Sequence, residues 1–362
     1  MLQGLVVALM GLGLVMIYSA QGRVDKPPMQ EEFFNSQATK QMTFVLVSLV
    51  MMVIFSRIDY RVFGWKGTAL QSAGVWMVAL AVVLLVAVMI FGQEVNGAKR
   101  WIKIGGVTFQ PSEFAKLAVV VFLAGRLSDP EYPRWEFWRG LLPLCAVIGV
   151  VSGLVAKEDL GTGAVIALVC GLMLLAGGAT IWHLLLPALI AIAGFIGFII
   201  YEPYRLKRIV SFRDLWADPE GANYHAIQSL VAIATGGWWG LGIGEGIQKY
   251  GYLPEDTTDF IFSISSEELG MAGGLTVLGI FMVFVVVGWL IYRRAADDFG
   301  RMLVFGLIGM LGLQAAINVA VATVSVPTKG IALPFVSAGG SGLIFAALGI
   351  GLVCSVSRNS DG

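Results

Sequence analysis

The chain has 362 residues, of which 57% are hydrophobic and 13% are charged, and its formal net charge is zero. Soluble domains carry about 25% charged residues, so most of this chain must lie where charge is excluded. The apolar runs are continuous rather than alternating, which excludes a transmembrane β-barrel. The balanced charge argues against a nucleic-acid partner.

The apolar windows predict an all-α, polytopic membrane protein, because several of them hold about 18 or more residues with almost no charge. Ten transmembrane helices are expected, at residues 3–20, 40–56, 71–92, 112–127, 140–156, 161–178, 181–201, 260–291, 302–325 and 339–356. The only long connection, about residues 202–259, is expected to be an extracytoplasmic loop. No soluble appendage is evident, so residues 1–362 are predicted to form a single integral membrane domain.

Ten spans place both termini on the same side of the membrane. Basic residues usually mark cytoplasmic loops, but here the loops of both sides carry arginine and lysine. The acidic residues distinguish the sides, because most of them lie in or near one set of loops. Ionisable groups close to membrane depth indicate a functional site. We therefore assign both termini to the cytoplasm and expect a polar cavity that opens outward.

The first motif, NGAKRWIKIGGVTFQPSEFAKLAV at residues 96–119, joins a basic loop to the start of a helix. The loop carries three cations, Lys99, Arg100 and Lys103. They either anchor it at the interface or bind an anion. Glu113 and Lys116 are three residues apart and are predicted to pair on one helix face. This pair either stabilises the helix bundle or belongs to the functional site.

A second charged motif, KEDLGTG at residues 157–163, lies between two predicted spans. It places Lys157 and Asp159 in a turn whose glycines allow another chain segment to approach. Charged turns are common between membrane helices, so a structural and a functional interpretation both remain open.

The long connection begins with four cations, Arg205, Lys207, Arg208 and Arg213. Its second half, AIQSLVAIATGGWWGLGIGEG, has the apolar spacing of an amphipathic helix that lies at the membrane interface. The sequence GLGIGEG has the glycines of a nucleotide-binding loop, but no predicted strand precedes it, so that interpretation is rejected.

Five carboxylates lie where this connection re-enters the membrane, within GYLPEDTTDFIFSISSEELG at residues 251–270. They are Glu255, Asp256, Asp259, Glu267 and Glu268. Asp259 is followed directly by an apolar run, and a carboxylate against an apolar wall suits a general base. Alternatively, Asp259 or Thr258 caps the helix. Glu255 and Asp256 are expected to be surface acids.

The last motif, VPTKGIALPFVSAGGSGL at residues 326–343, is predicted to be an outer loop. It contains three candidate donors to an anion, Lys329, Ser337 and Ser341. Backbone amides in a glycine-serine turn can also donate to anionic oxygens. An ordinary loop explains the segment equally well.

Taken together, these motifs resemble the SEDS family (shape, elongation, division and sporulation), which are membrane polymerases of the bacterial cell wall. The matching segments come in family order across essentially the whole chain: NGAKRWI with FQPSEFAKL, KEDLGTG, QSLVAIATGG, YLPEDTTDFIFSISSEELG and PTKGIALPFVSAGGSGL. Within the family they look most like FtsW, the division member, and are close to RodA and SpoVE. The chain departs from the family pattern at Ala338 and Gly342, where Tyr and Ser are usual.

The resemblance implies a peptidoglycan glycosyltransferase that polymerises lipid II on the outer face of the cytoplasmic membrane, at the division septum. Asp259 is expected to be the catalytic base, and undecaprenyl diphosphate the leaving group. The residues expected to bind substrate are Lys99, Arg100, Lys103, Arg205, Lys207, Arg208, Lys329, Ser337 and Ser341. The residues expected to shape the cavity are Glu113, Lys116, Lys157 and Asp159.

A divalent cation, magnesium or manganese, is expected to assist at the diphosphate, and no organic cofactor is expected. The expected partners are lipid II, the growing glycan strand, a class B penicillin-binding protein and other membrane proteins of the division machinery. The alternatives are an elongation or sporulation polymerase, a lipid II flippase and a non-catalytic scaffold. A flippase needs a hydrophilic path through the bundle, whereas the acids cluster on one side. A scaffold would not need Asp259.

Overall fold

The computed structural model describes residues 1–21, 37–95, 97–104, 107–134, 136–201, 207–208, 211–221 and 223–360. The helices, in chain order, are α1 (Leu2–Gln21), α2 (Gln37–Arg57), α3 (Ala73–Phe91), α4 (Pro111–Ser128), α5 (Leu142–Glu158), α6 (Leu160–Ala176), α7 (Ile181–Tyr201), α8 (Tyr224–Gly236), α9 (Ile261–Arg294), α10 (Asp298–Ala322) and α11 (Ser341–Arg358). Each of the ten predicted spans is helical, so the all-α, polytopic fold is confirmed.

Eight helices in the described part of the chain are long and apolar enough to cross a membrane. The two predicted spans outside this group are α4 and α6. Helix α4 carries Glu113, Lys116 and Arg126, and α6 has only 17 residues. The total of ten spans therefore stays a prediction. The amphipathic helix expected over residues 226–246 forms only in part, as α8, because the chain leaves the helix after Gly236 and the glycine-rich residues 237–246 form turns.

A small antiparallel sheet replaces the basic loop that the sequence predicted before α4. Its strands are β1 (Gln93–Val95), β2 (Ala98–Ile104) and β3 (Val107–Phe109), in the order β1-β2-β3. Gly97, with a φ of 75°, makes the turn between β1 and β2. Such short strands carry too few residues to show an alternating pattern against a long apolar background.

The chain divides into two compact units, each assembled from three separate stretches. Unit 1 comprises residues 1–49, 202–284 and 314–344, and unit 2 comprises residues 50–201, 285–313 and 345–362. The expectation of a single domain over residues 1–362 stays a prediction.

Helix α4 is almost entirely buried in unit 2, including its residues Ala115, Lys116 and Val120. Helix α7, by contrast, has no buried residue along its length. A helix enclosed by protein can carry charged side chains that a lipid-facing helix cannot, because they find partners inside the bundle. This explains how α4 can carry Glu113 and Lys116 within its length.

Helix α9 is broken at Gly270, and the break is filled by the segment that follows α8 in the sequence. Gly270 has φ 70° and ψ −174°. On one side of the break, the amides of Leu241 and Gly242 each donate, at 3.0 Å, to the carbonyls of Glu267 and Glu268 respectively. On the other side, the amides at positions 271 and 272 donate to the carbonyls at positions 237 and 238. Irregular backbone at membrane depth is tolerated where such bonds are made.

Replacing Gly270 with alanine is expected to destabilise unit 1. The φ of 70° favours glycine, and an added Cβ would overlap the Gly240 amide nitrogen and the Trp238 carbonyl oxygen. The expected loss in the free energy of unfolding is at least about 1–3 kcal/mol. Gly279→Ala is the control, since a Cβ at Gly279 in the same helix meets nothing within 4 Å. Equal thermal melting curves in detergent for the two variants would contradict the prediction.

Candidate active site

Asp259 lies in unit 1, immediately before α9. It is half-buried, and its backbone amide donates to the Glu255 carbonyl at 3.1 Å. The next three side chains, Phe260, Ile261 and Phe262, are 4%, 0% and 4% exposed. The apolar residues that follow Asp259 are therefore buried, while part of Asp259 itself is exposed. An apolar wall against its carboxylate stays a prediction.

The backbone before Asp259 is held by the loop that follows α10. The Ala338 amide donates to the Thr257 carbonyl at 2.8 Å, and the Ser337 hydroxyl donates to the Thr258 carbonyl. The same hydroxyl accepts a hydrogen bond from the Leu333 amide at 2.7 Å. The hydroxyl proton of Ser337 is thus directed at the protein backbone. Its expected role as a donor to substrate oxygens stays a prediction.

The five carboxylates at the start of α9 fall into three environments. Glu255 is exposed, as predicted, whereas Asp256 is half-buried. Burial raises the pKa of Asp256 above its ordinary value, so this carboxyl group is not the simple surface acid that the sequence predicted. Glu267 and Glu268, the third group, are 0% and 1% exposed.

Both buried carboxylates have specific partners. Glu268 accepts hydrogen bonds from the Ser19 hydroxyl and, at 2.8 Å, from the Lys249 ammonium group. Glu267 accepts hydrogen bonds from the backbone amides of Ile247, at 2.9 Å, and Gln248. The two carboxylates therefore hold residues 247–249, which begin the loop that leads to Asp259. The sequence does not indicate that Ser19 and Lys249 bind Glu268, because neither belongs to a local charge pattern with it.

Removing one partner of the Lys249–Glu268 pair is expected to be strongly destabilising. The two side chains are 1% and 0% exposed, so Lys249→Met leaves a buried carboxylate without its countercharge. The expected cost is roughly 3–5 kcal/mol, and the double variant Lys249→Met with Glu268→Gln should recover much of it. Lys207→Met is the control, because Lys207 pairs with Asp218 at 65% and 37% exposure and exposed pairs contribute about 0–1 kcal/mol. Equal melting temperatures for Lys249→Met and Lys207→Met would contradict the expectation.

In unit 2, strand β2 meets the junction between α5 and α6. The Arg100 Nε donates to the Glu158 carbonyl at 2.8 Å, and the Lys99 amide donates to the Glu158 carboxylate at 2.8 Å. Asp159 caps α6 by accepting from the Thr162 amide at 3.1 Å and from its hydroxyl at 3.0 Å. Arg100 also lies 3.8 Å from the Asp159 carboxylate. The two charged motifs, distant in sequence, are thus joined.

The predicted pair in α4 forms, with 2.9 Å between the Lys116 Nζ and the Glu113 carboxylate. Both side chains are largely buried, at 8% and 14% exposure. Their burial inside unit 2 is consistent with the expected role in shaping a cavity, which stays a prediction.

A small cleft in unit 2 combines an apolar wall with charged groups. Its lining includes Leu85, Val88, Leu154, Lys99, Arg100 and Asp159. The apolar side chains come from α3 and α5, and the cations come from β2. The cleft is small, with a volume of about 20 Å³, and its two cations lie beside the carboxylates of Glu158 and Asp159. The binding of substrate by Lys99 and Arg100 therefore stays a prediction.

The remaining predicted residues that the structure describes belong to both units. Lys103 and Lys157 are exposed in unit 2. In unit 1, Arg208 donates to the Thr328 carbonyl at 3.3 Å, Lys329 is half-buried, and Ser341 is the buried first residue of α11. Arg205 lies outside the described residues.

The side chains that the structure describes do not form a metal site made of protein ligands alone. No group of three or more His, Cys, Asp or Glu residues among them could hold an ion. Magnesium is commonly bound through one or two carboxylates together with substrate phosphates. The expected divalent cation would therefore take most of its ligands from the diphosphate.

The apolar helices define a multi-pass membrane protein. A match to a family model identifies the family of membrane proteins to which it belongs. The FtsW/RodA/SpoVE model, described as "Cell cycle protein", matches residues 1–362. The chain therefore belongs to this family, the SEDS proteins.

Relatives and solved structures agree with this assignment. The chain is 38% identical over 353 residues to "Stage V sporulation protein E" of Bacillus subtilis, covering 97% of this chain and 94% of that protein. It is 37% identical over 351 residues to "Probable peptidoglycan glycosyltransferase FtsW" of a Geobacter species, covering 97% and 94%. A chain from the structure "Structural coordination of polymerization and crosslinking by a peptidoglycan synthase complex" is 26% identical. It has a TM-score of 0.76, and the match covers 99% of this chain and 97% of that one.

Proposed function

We propose that this peptidoglycan glycosyltransferase of the SEDS family polymerises lipid II into glycan strands, on the outer face of the bacterial cytoplasmic membrane. The observation that carries the proposal is the environment of Asp259. Asp259 is a half-buried residue followed by buried apolar residues, on backbone held by hydrogen bonds from the loop after α10. These are the properties of a positioned general base. The family membership and the names of the curated relatives support the same reaction.

In the proposed reaction, Asp259 removes the proton from the 4-hydroxyl group of the acceptor sugar. The oxygen forms a bond to the anomeric carbon of the donor, and the bond from that carbon to the diphosphate breaks. Undecaprenyl diphosphate leaves with the electron pair of the broken bond. Negative charge grows on the diphosphate during this step, so fixed cations would lower the barrier.

Stabilisation of the diphosphate is assigned to cations of the outer loops, because their positive charge would oppose the negative charge that grows during the reaction. The candidates are Lys99, Arg100, Lys103, Arg205, Lys207 and Arg208. A divalent cation bound to the same phosphates would supply further positive charge. The other candidates for binding substrate are Lys329, Ser337 and Ser341.

Replacing Asp259 with asparagine is expected to abolish polymerisation, because it removes the base while keeping the shape of the side chain. The expected loss is at least roughly 10²–10⁴-fold in rate. The assay is gel analysis of polymer made from labelled lipid II, with and without a class B penicillin-binding protein. Glu255→Gln is the control, since Glu255 is an exposed carboxylate four residues away. Near-normal polymer from Asp259→Asn would overturn the assignment, and a transbilayer lipid II signal without polymer would favour a flippase.

Septal synthesis during division is the proposed cellular role. Polymerisation during sporulation is a second candidate, favoured by the similarity to stage V sporulation protein E. An elongation polymerase of the RodA type would use the same chemistry. The similarity to a chain of a peptidoglycan synthase complex supports a class B penicillin-binding protein as partner. Other membrane proteins of the division machinery are proposed as further partners.

The proposed orientation can be tested by cysteine labelling in intact cells. In a background lacking Cys145, Cys170 and Cys354, a cysteine at Ser211 should react with an impermeant maleimide from outside. A cysteine at Ser360 is the control and should be labelled only after lysis, since both termini are assigned to the cytoplasm. The reverse pattern would put the loop before α9 on the cytoplasmic side, and the proposed site of polymerisation would then be wrong.

A further inference from the structure

Asn318, in helix α10, is a fully buried polar residue that no sequence motif singled out. Its side chain is 0% exposed. Its amide nitrogen donates to the Asp259 carbonyl at 2.8 Å and to the Ile331 carbonyl at 2.7 Å. Polar side chains inside a predicted span are costly, so a buried asparagine there points to a specific use of its donors.

This contact completes a row of three hydrogen bonds to successive carbonyls. The Thr257 carbonyl accepts from the Ala338 amide, the Thr258 carbonyl from the Ser337 hydroxyl, and the Asp259 carbonyl from Asn318. Asn318 is the donor that reaches the backbone of the proposed base itself. Its second hydrogen bond, to Ile331, ties the same helix to the loop that supplies the other two donors.

We infer that Asn318 is a positioning residue for glycosyl transfer, an inference that rests on the proposed function of Asp259. Because Asn318 holds the carbonyl of residue 259 in place, it also holds the Cα atom of Asp259 and limits the directions in which the side chain can point. A general base must lie within hydrogen-bond reach of the proton it removes. A displacement of about 1 Å by a distant substitution can cost about 100-fold in rate.

Gln314 provides a matched comparison one helical turn earlier. It also lies in α10, and its side-chain amide donates to the Ala332 carbonyl at 2.8 Å. Gln314 and Asn318 therefore tie α10 to neighbouring carbonyls of the same loop. Of the two, Asn318 has the additional hydrogen bond to Asp259. A purely structural role predicts similar effects from both residues, whereas a positioning role separates them.

The test compares Asn318→Asp and Asn318→Leu with Gln314→Glu and Gln314→Leu. The aspartate and glutamate keep the shape of the amide but have at most one proton to donate, so Asn318→Asp loses at least one of the two hydrogen bonds of Asn318. The leucines remove all polarity. Each protein is purified in full and its monodisperse fraction is assayed for melting temperature, kcat and KM with labelled lipid II. Both Asn318 variants should lose about 10–100-fold in kcat, with KM changed by less than about threefold. The Gln314 variants should keep kcat within about threefold while showing a comparable drop in melting temperature.

The pH profile of Asn318→Leu tests whether the substitution acts through the position of the base. Asn318 contacts the carbonyl of Asp259 and not its carboxylate, so the loss in kcat of this variant should be the same at every pH, and a pH profile of changed shape would contradict the inference. If the Asn318 variants do not accumulate as folded protein, Asn318→Ser is used, which keeps one donor on a shorter side chain. Hydrogen exchange of residues 255–260 in that variant should be faster than in Gln314→Ser.

Equal kcat in the Asn318 and Gln314 variants, or equal exchange in the two serine variants, would overturn the inference. Failure of this inference can be distinguished from failure of the proposed function. If only the inference is wrong, the wild type polymerises lipid II and Asp259→Asn does not, yet the Asn318 variants behave like the Gln314 variants. If the proposed function is wrong, the wild type makes no polymer, or Asp259→Asn remains active.

Discussion

Buried polar groups need partners inside the protein, and this constraint fixes the positions of several segments of unit 1. Glu267 and Glu268 lie in an apolar helix, where an unpaired carboxylate would be very costly. Lys249 and Ser19 satisfy one of them, and backbone amides satisfy the other. The partners come from α1 and from the connection before α9, so satisfying two carboxylates also fixes where distant parts of the chain must run.

The loop that carries Asp259 is consequently held at both ends. Its beginning, at residues 247–249, is bound by Glu267 and Glu268, and its end, at residues 257–259, is bound through three carbonyls. Between these ends, Tyr250 and Tyr252 are exposed and Gly251 has a φ of 93°. Fixed ends around an exposed middle give a functional loop a defined position without burying it, as expected where chemistry is supported by a rigid scaffold.

The helices and the Glu113–Lys116 pair could be predicted because their signals are local. An apolar window marks a span, and a spacing of three residues places two side chains on one helix face. The sheet could not be predicted, since β1 and β3 have only three residues each. The break at Gly270 was also hidden, because glycine is common in membrane helices and does not by itself indicate a break within the span predicted over residues 260–291.

The partners of the candidate site were missed for a different reason. Ser19 lies 249 residues before Glu268, and Asn318 lies 59 residues after Asp259. Each is an isolated polar residue in an apolar segment, and such a residue gives no indication of what it will meet. Asp259 itself could be singled out because its apolar neighbours follow it directly in the sequence. The sequence therefore identified the proposed base but not the residues that hold it.

The break in α9 also separates a part of the helix that is buried in protein from a part with many exposed apolar side chains. Before Gly270, the serines and glutamates of residues 263–268 are all buried in protein. After it, large apolar side chains such as Met271, Leu275 and Met282 are exposed. The helix has 34 residues, whereas about 20 suffice to cross the hydrocarbon layer. Residues 271–294 alone are therefore long enough to cross the hydrocarbon layer. The first turns of α9 need not be apolar, and they can carry buried polar residues as the interior of a water-soluble enzyme does.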